Sequence, residues 1–194
     1  MRLLHDLPLA DLTPARLWPR LDPPTRALAA RALFDGDRST RDQANHAIAL
    51  ALRFRDAGVR KLSVDRRVDY LARVVRPDEA LASSLLMALH LVCRQALLVS
   101  FLDELQIPNQ DGLISEDYEL GPVGADVLEP AVVRLREHHD SAEVEVYLAS
   151  LLALDPDIWG GLGQFLQADG ASAPSDAGSG DDGGNNGSEE PSIG

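Results

Sequence analysis

Between Ala80 and Leu102 the chain carries a nearly unbroken apolar run of 23 residues. A run of this length either crosses a bilayer or is buried inside protein. His90, Arg94 and Gln95 stand at its middle, and a central Arg costs ~2.5–3.5 kcal/mol on insertion scales. Acids flank it on both sides, Asp78 and Glu79 before and Asp103 and Glu104 after. The run therefore predicts two helices at the centre of a fold, bending near Cys93-Arg94, and no membrane span. A helix that is apolar all round needs partners all round. Ser83 and Ser84 are small enough to allow a close approach.

The rest of the chain supplies those partners. Leu occurs 32 times and Ala 25 times, so helix propensity is high nearly throughout. Thr13-Pro14 and Asp22-Pro23 each place a capping oxygen before a proline at the first helical position, which opens helices over about 14–20 and 23–34. Thr40 with Gln43 fits a capping box for a helix over about 41–56, closed by Gly58. Its stripe is Ala44, Ala47, Ile48, Ala51 and Leu52. Ser63 caps a helix over about 64–75 with Val64, Val68, Leu71 and Val75 as its buried face. Residues 106–124 read as a loop around Asp111-Gly112. Three more helices follow, over about 127–138, 142–154 and 156–167, begun respectively near Pro130, at Ser141 and at Asp155-Pro156. The expected fold is all-α, a single compact domain of about eight helices over residues 1–168, packed orthogonally or as antiparallel hairpins. Residues 169–194 contain 7 Gly, 5 Ser and 4 Asp; they cannot bury enough surface to offset chain entropy and are expected to be a disordered acidic tail.

Charge divides the chain. Residues 1–76 hold 15 Lys and Arg against 9 Asp and Glu, and residues 77–168 hold 3 against 16. The net charge of −13 argues against binding polyanions over the whole surface. The basic part can meet a phosphate-rich partner or face the acidic part of its own fold. One cysteine excludes an intrachain disulfide framework. Residues 1–11 show no secretory pattern, and a cytoplasmic protein is the expectation.

Few residues suggest chemistry. His90 and Cys93 are three apart, so a regular helix puts them on one face, the spacing of two metal ligands or of a thiol and its base. The neighbours Leu91, Val92 and Leu97 instead predict core packing and an inert thiol. His138 and His139 are adjacent and diverge on a helix; their place at a helix C-terminus suits the dipole. The loop 107–118 resembles in part a calcium-binding EF-hand loop, with Asn109 and Asp111 as oxygen donors around Gly112. Ile107 and Tyr118 stand where the first and last carboxylates belong, and no calcium site is predicted. Arg60, Lys61, Arg66 and Arg67 form the candidate partner- or phosphate-binding group, set before and within a helix start where N–H groups also favour anions. Asp69 and other acids interleave with them.

No phosphate loop, dinucleotide fingerprint, nucleophile elbow or zinc-protease motif is present in the sequence. The expected function is accordingly a non-enzymatic helical module that binds another protein, as adaptor or regulator, with no cofactor. Two alternatives stand beside it: a nucleic-acid- or phosphate-binding protein acting through the Arg-rich first half, and a metal-dependent or thiol enzyme around His90 and Cys93.

Overall fold

A computed structural model describes residues 8–115 and 117–168. The tail expected over 169–194 lies outside the described residues. The fold is all-α. Its helices are α1 (Pro14–Leu17), α2 (Pro23–Asp35), α3 (Arg38–Leu52), α4 (Asp56–Val59), α5 (Val64–Arg73), α6 (Glu79–Ala88), α7 (Gln95–Glu104), α8 (Ala125–His138), α9 (Ser141–Leu154), α10 (Pro156–Trp159) and α11 (Gly163–Ala168). Short 3-10 turns precede α1 and follow α1 and α10, and a π turn, Leu89–Cys93, follows α6. Among the described residues eleven α-helical segments replace the expected eight or so because predicted helices divide. The helix expected over 41–56 ends at Leu52, where Arg53 takes a left-handed φ of 56°, and α4 is a separate turn. The helix expected over 156–167 breaks at the 3-10 turn Gly160–Leu162.

Several helix starts follow the predicted caps. Thr13 accepts from Arg16 N, Asp22 from Thr25 N, Ser63 from Arg66 N and Asp155 from Ile158 N. Two starts fall elsewhere. Asp37 caps α3 by accepting from Ser39 N and Thr40 N, which replaces the box expected at Thr40 and Gln43. Asp140, ahead of Ser141, caps α9 in the same way through Ala142 N and Glu143 N. In both cases a carboxylate just upstream outcompetes a hydroxyl for the orphan N–H groups. Pro130 sits inside α8, one turn later than expected, where it removes one helical donor.

The apolar run bends where the sequence predicts. α6 with its π turn meets α7 at 87°, and Arg94 forms the corner. Its N–H closes the π turn onto Leu89 O at 3.1 Å, and its own carbonyl accepts from Leu97 and Leu98 to begin α7. Among the described residues no single helix is long and apolar enough to cross a membrane.

The bend hands the chain from one core to another. Leu81, Leu85, Leu86 and Leu89 pack with α1, α2, α3 and α5 around Leu17, Trp18, Leu33, Ile48 and Leu71. Leu97, Leu98, Phe101 and Leu102 pack with α8 and Trp159. Helix α9 serves both. Val146, Ala149, Leu152 and Ala153 face the first core, and Val144, Tyr147 and Leu148 face the second. Its buried surface thus extends beyond the single stripe, Val144, Tyr147, Leu148, Leu151 and Leu152, that helical spacing predicts. On α5 the expected face is shorter than predicted: Val64 is 36% exposed, while Val68, Leu71 and Val75 are buried.

The segment expected as a plain loop contains a hairpin, β1 (Asn109–Gln110) and β2 (Leu113–Ile114), paired antiparallel. Asp111 and Gly112 both have positive φ, 55° and 85°, as a two-residue primed turn requires. A Cβ on Gly112 would lie 2.6 Å from Leu98 Cδ2. Gly112→Ala is therefore expected to destabilise the chain by ~1–3 kcal/mol through left-handed strain and the clash. Gly121→Ala meets nothing within 4 Å and should change stability by less than ~0.5 kcal/mol. Urea midpoints of the two variants check this; equal midpoints would refute the assignment.

Candidate functional site

The π turn separates the one residue pair that suggested catalysis. A wider turn inserts an extra residue, so a spacing of three no longer keeps two side chains on one face. His90 is 5% exposed, with its ring edge-on to Tyr147 at 5.1 Å between centroids. Neither of its nitrogens has a partner among the described residues. Burial, with the Arg94 charge adding to it, pushes its pKa down to about 3. Burial likewise raises the Tyr147 hydroxyl. Cys93, expected in the core, is instead exposed. Its sulfur lies 3.9 Å from Leu28 O, and partial burial still pushes the thiol up, against the opposing effect of Arg94. A neutral imidazole and a protonated thiol facing different ways do not make a nucleophile and base. Among the described residues no three His, Cys, Asp or Glu side chains converge as metal ligands.

The basic candidates are spread over different tasks. Arg60 pairs with Asp42 at 3.1 Å. Arg67 turns inward, donates to the buried Asn45 Oδ1 at 3.0 Å and lies over the Phe34 ring at 5.0 Å. It ties α5 to α2 and α3, a packing role for both its charge and its plane. Lys61 and Arg66 are exposed. Elsewhere in the basic half Arg31 pairs with Asp65, and Arg73 with Asp69 at 2.7 Å. Much of the positive charge is thus answered by acids of the same half.

His138 and His139 border one small cleft with Ser100 and Arg134, yet each has its own partner. His138 Nδ1 donates to Arg134 O at 2.8 Å, and His139 Nε2 lies 3.4 Å from Ser100 Oγ. In the 107–118 segment the Asn109 side chain and the Asp111 backbone carbonyl are engaged within the hairpin and with its neighbours. Asn109 Oδ1 accepts from Gly112 N, its Nδ2 donates to Asp103, and the Asp111 carbonyl accepts from Gln95.

Two larger concavities lie on either side of the connection between α5 and α6. The first is an open groove of about 580 Å³ between α3 and that connection. Ala47, Ala51, Val75 and Leu81 line it, Leu50 and Val74 stand beside it 68% and 48% exposed, and Gln43, His46, Arg76 and Asp78 complete its lining. The sequence stripe on α3 is wider than the core covers: Ala44 and Ile48 are buried, while Ala47 and Ala51 border the groove. The second concavity, also about 580 Å³, lies between α1, α2 and the same connection, lined by Ala15, Trp18, Pro19, Arg26, Arg73 and Arg76 with Val74, Val75 and Pro77. Arg73 and Arg76 belong to the basic stretch visible in the sequence. Arg26 is far from them in sequence and joins them only through packing of α2 on α5. Comparison of this chain with protein-family models, with curated proteins and with solved structures finds no match.

The buried His90 makes stability depend on pH with a definite sign. Its folded pKa lies below the unfolded value of 6.5, so the unfolded chain binds the extra proton. Stability from this residue is full above pH 6.5 and falls toward pH 3, by up to ~1.4 kcal/mol per pH unit inside that window. His90→Phe should flatten the stability profile between pH 6.5 and 4. Denaturant titrations at several pH values read this directly, and parallel profiles for the two proteins would disprove it.

Proposed function

We propose that this chain is a non-enzymatic helical module, an adaptor or regulator, that receives an amphipathic helix of another protein in the groove between α3 and the α5–α6 connection. The observation that carries the reading is an apolar stripe on α3 that its own core leaves partly uncovered, with Leu50 68% exposed beside it. Small residues at Ala47 and Ala51, one turn apart, allow a helix to approach closely, as small side chains do at helix–helix contacts. Leu50 and Val74 supply the large apolar contacts that such a helix reads at its i and i+3 or i+4 positions. Arg76 and Asp78 at the rim offer both signs of charge, which selects the register of the incoming helix more than it adds affinity.

The alternative through the basic half draws its support from Lys61 and Arg66, which remain exposed. It has less to draw on than the groove because Arg60 and Arg67 hold partners within the fold. The enzyme alternative draws on His90 and Cys93, which lie on opposite sides of the surface.

The test compares the tagged chain with its Leu50→Asp variant in pull-downs from the native host, with nuclease and without. Leu50 is exposed, so the variant should fold normally. A discrete protein retained after nuclease by the parent, and reduced ~10-fold or more in the variant, is the expected result. Recovery that nuclease abolishes would favour the basic half, and recovery indifferent to Leu50→Asp would reject the groove.

A further inference from the structure

We propose that the pocket between α1, α2 and the α5–α6 connection binds a small phosphate monoester, with Arg26 and Arg76 on the phosphate and the Pro19, Val74 and Pro77 wall against its apolar body. This pocket opens on the other side of the connection from the groove on α3; the two share Val74, Val75 and Arg76, but the proposal does not depend on a helix binding in the groove.

The charge at the pocket is one-sided. Arg26, Arg73 and Arg76 line it and no Asp or Glu does. Arg73 is shared with Asp69, 2.7 Å away. Glu79 reaches the rim near Ala15, where its carboxylate accepts from Ala15 N and Thr13 Oγ1 at 3.0 and 2.7 Å. Neither Arg26 nor Arg76 has an ion pair among the described residues. Two guanidinium groups facing one cavity without acids repel each other, and an anion between them removes that repulsion. Their charge matches a phosphate monoester, which carries about −1.5 to −2 near neutral pH. Arg forks also fit phosphate oxygens in pairs.

The inner wall repeats the argument with buried donors. Arg26 Nε and Trp18 Nε1 are both shut off from solvent with no acceptor among the described residues, and Trp18 is only 1% exposed. Neither atom is open to the cavity, so an anion there meets Arg26 through its outer nitrogens. An anion seated on the outer nitrogens of Arg26 offsets the cost of holding that group partly buried.

Size and surroundings set the ligand class. A cavity of about 580 Å³ falls within the range of small-molecule sites. Its lining combines three Arg residues with Ala15, Trp18, Pro19, Val74, Val75 and Pro77. That combination suits a compact molecule with an ionic head and an apolar remainder. An extended nucleic acid would run beyond the pocket onto a surface of a protein whose net charge is −13.

Isothermal titration calorimetry of the full chain with phenyl phosphate, inorganic phosphate and benzoate tests the assignment. Phenyl phosphate is expected to bind tightest, with inorganic phosphate and benzoate each weaker by about tenfold or more. Arg26→Gln and Arg76→Gln should each weaken phenyl phosphate about tenfold, the usual effect of losing one charged hydrogen bond. Arg55→Gln, exposed between α3 and α4 and outside the pocket lining, should leave it unchanged. Arg76 is exposed, so its variant carries the test even if Arg26→Gln loses its fold. No heat up to ~10 mM, far weaker than a specific site requires, would overturn the proposal. So would equal weakening by Arg55→Gln, or inorganic phosphate binding as well as the ester.

Discussion

The corner at Arg94 holds the two halves of the architecture in place. A run of apolar residues long enough to make one straight helix instead turns through 87°, because the π turn ends there and the Arg94 carbonyl starts α7 with two hydrogen bonds. The side chain makes the turn costly to undo. Its guanidinium is buried to 8% exposure and faces Glu143 at 3.5 Å, while one terminal nitrogen has no partner among the described residues. A buried charge with an incomplete shell is tolerated only where the surroundings fix it. Here the surroundings are the first turn of α9 and, across a small cleft, Asp22 at the start of α2. Burial alone would raise the Asp22 carboxyl. Two bonds from Thr25 outweigh it, helped by the Arg94 charge, and hold the group below its usual range.

From that corner follows the division of labour among the helices. α6 belongs to one apolar cluster and α7 to the other, so α9, lying against both, must be apolar on nearly every side. Ser150 is accommodated there by bonding back to Val146 O at 2.7 Å. The first cluster is closed by α2 and α5, whose contact is tied by Arg67 on Asn45 and Phe34. Because α2 and α5 are packed together, the sequence-distant Arg26 and Arg76 come to border one cavity. The two concavities that carry the functional readings are thus products of the same packing, separated by the few residues from Val74 to Pro77.

Legibility from sequence followed the range of the interaction. Caps that act over three residues, such as Asp22 on Thr25 and Ser63 on Arg66, were readable, as was the bend at Arg94, where polarity interrupts the run. Asp37 and Asp140 were missed because a second capping group follows each within three residues, and only geometry chooses between them. Asp111-Gly112 marked a turn, yet the two-residue strands beside it are too short to show a period. The π turn left no signal in residue types, and it is what turned Cys93 outward and His90 inward. Of the candidate site residues, Lys61 and Arg66 lie exposed as a binding role needs, whereas Arg60 and Arg67 were claimed by partners that only tertiary packing brings near. Arg26 was unreadable as a site residue for the same reason, its neighbours being some fifty positions away.

The placement of α9 also bears on how the chain is made. Every other long helix of the first cluster lies before residue 90, and those of the second lie before residue 139. Each cluster still lacks its wall when those segments leave the ribosome. Neither hydrophobic assembly can close until residues 144–153 have emerged, well after the helices they cover. The nascent chain therefore carries two incomplete greasy surfaces at once until α9 reaches both, with Trp159 and Leu162 completing the second after it. Closure of the two clusters is coupled through α9, in place of a stepwise accretion from the N-terminus.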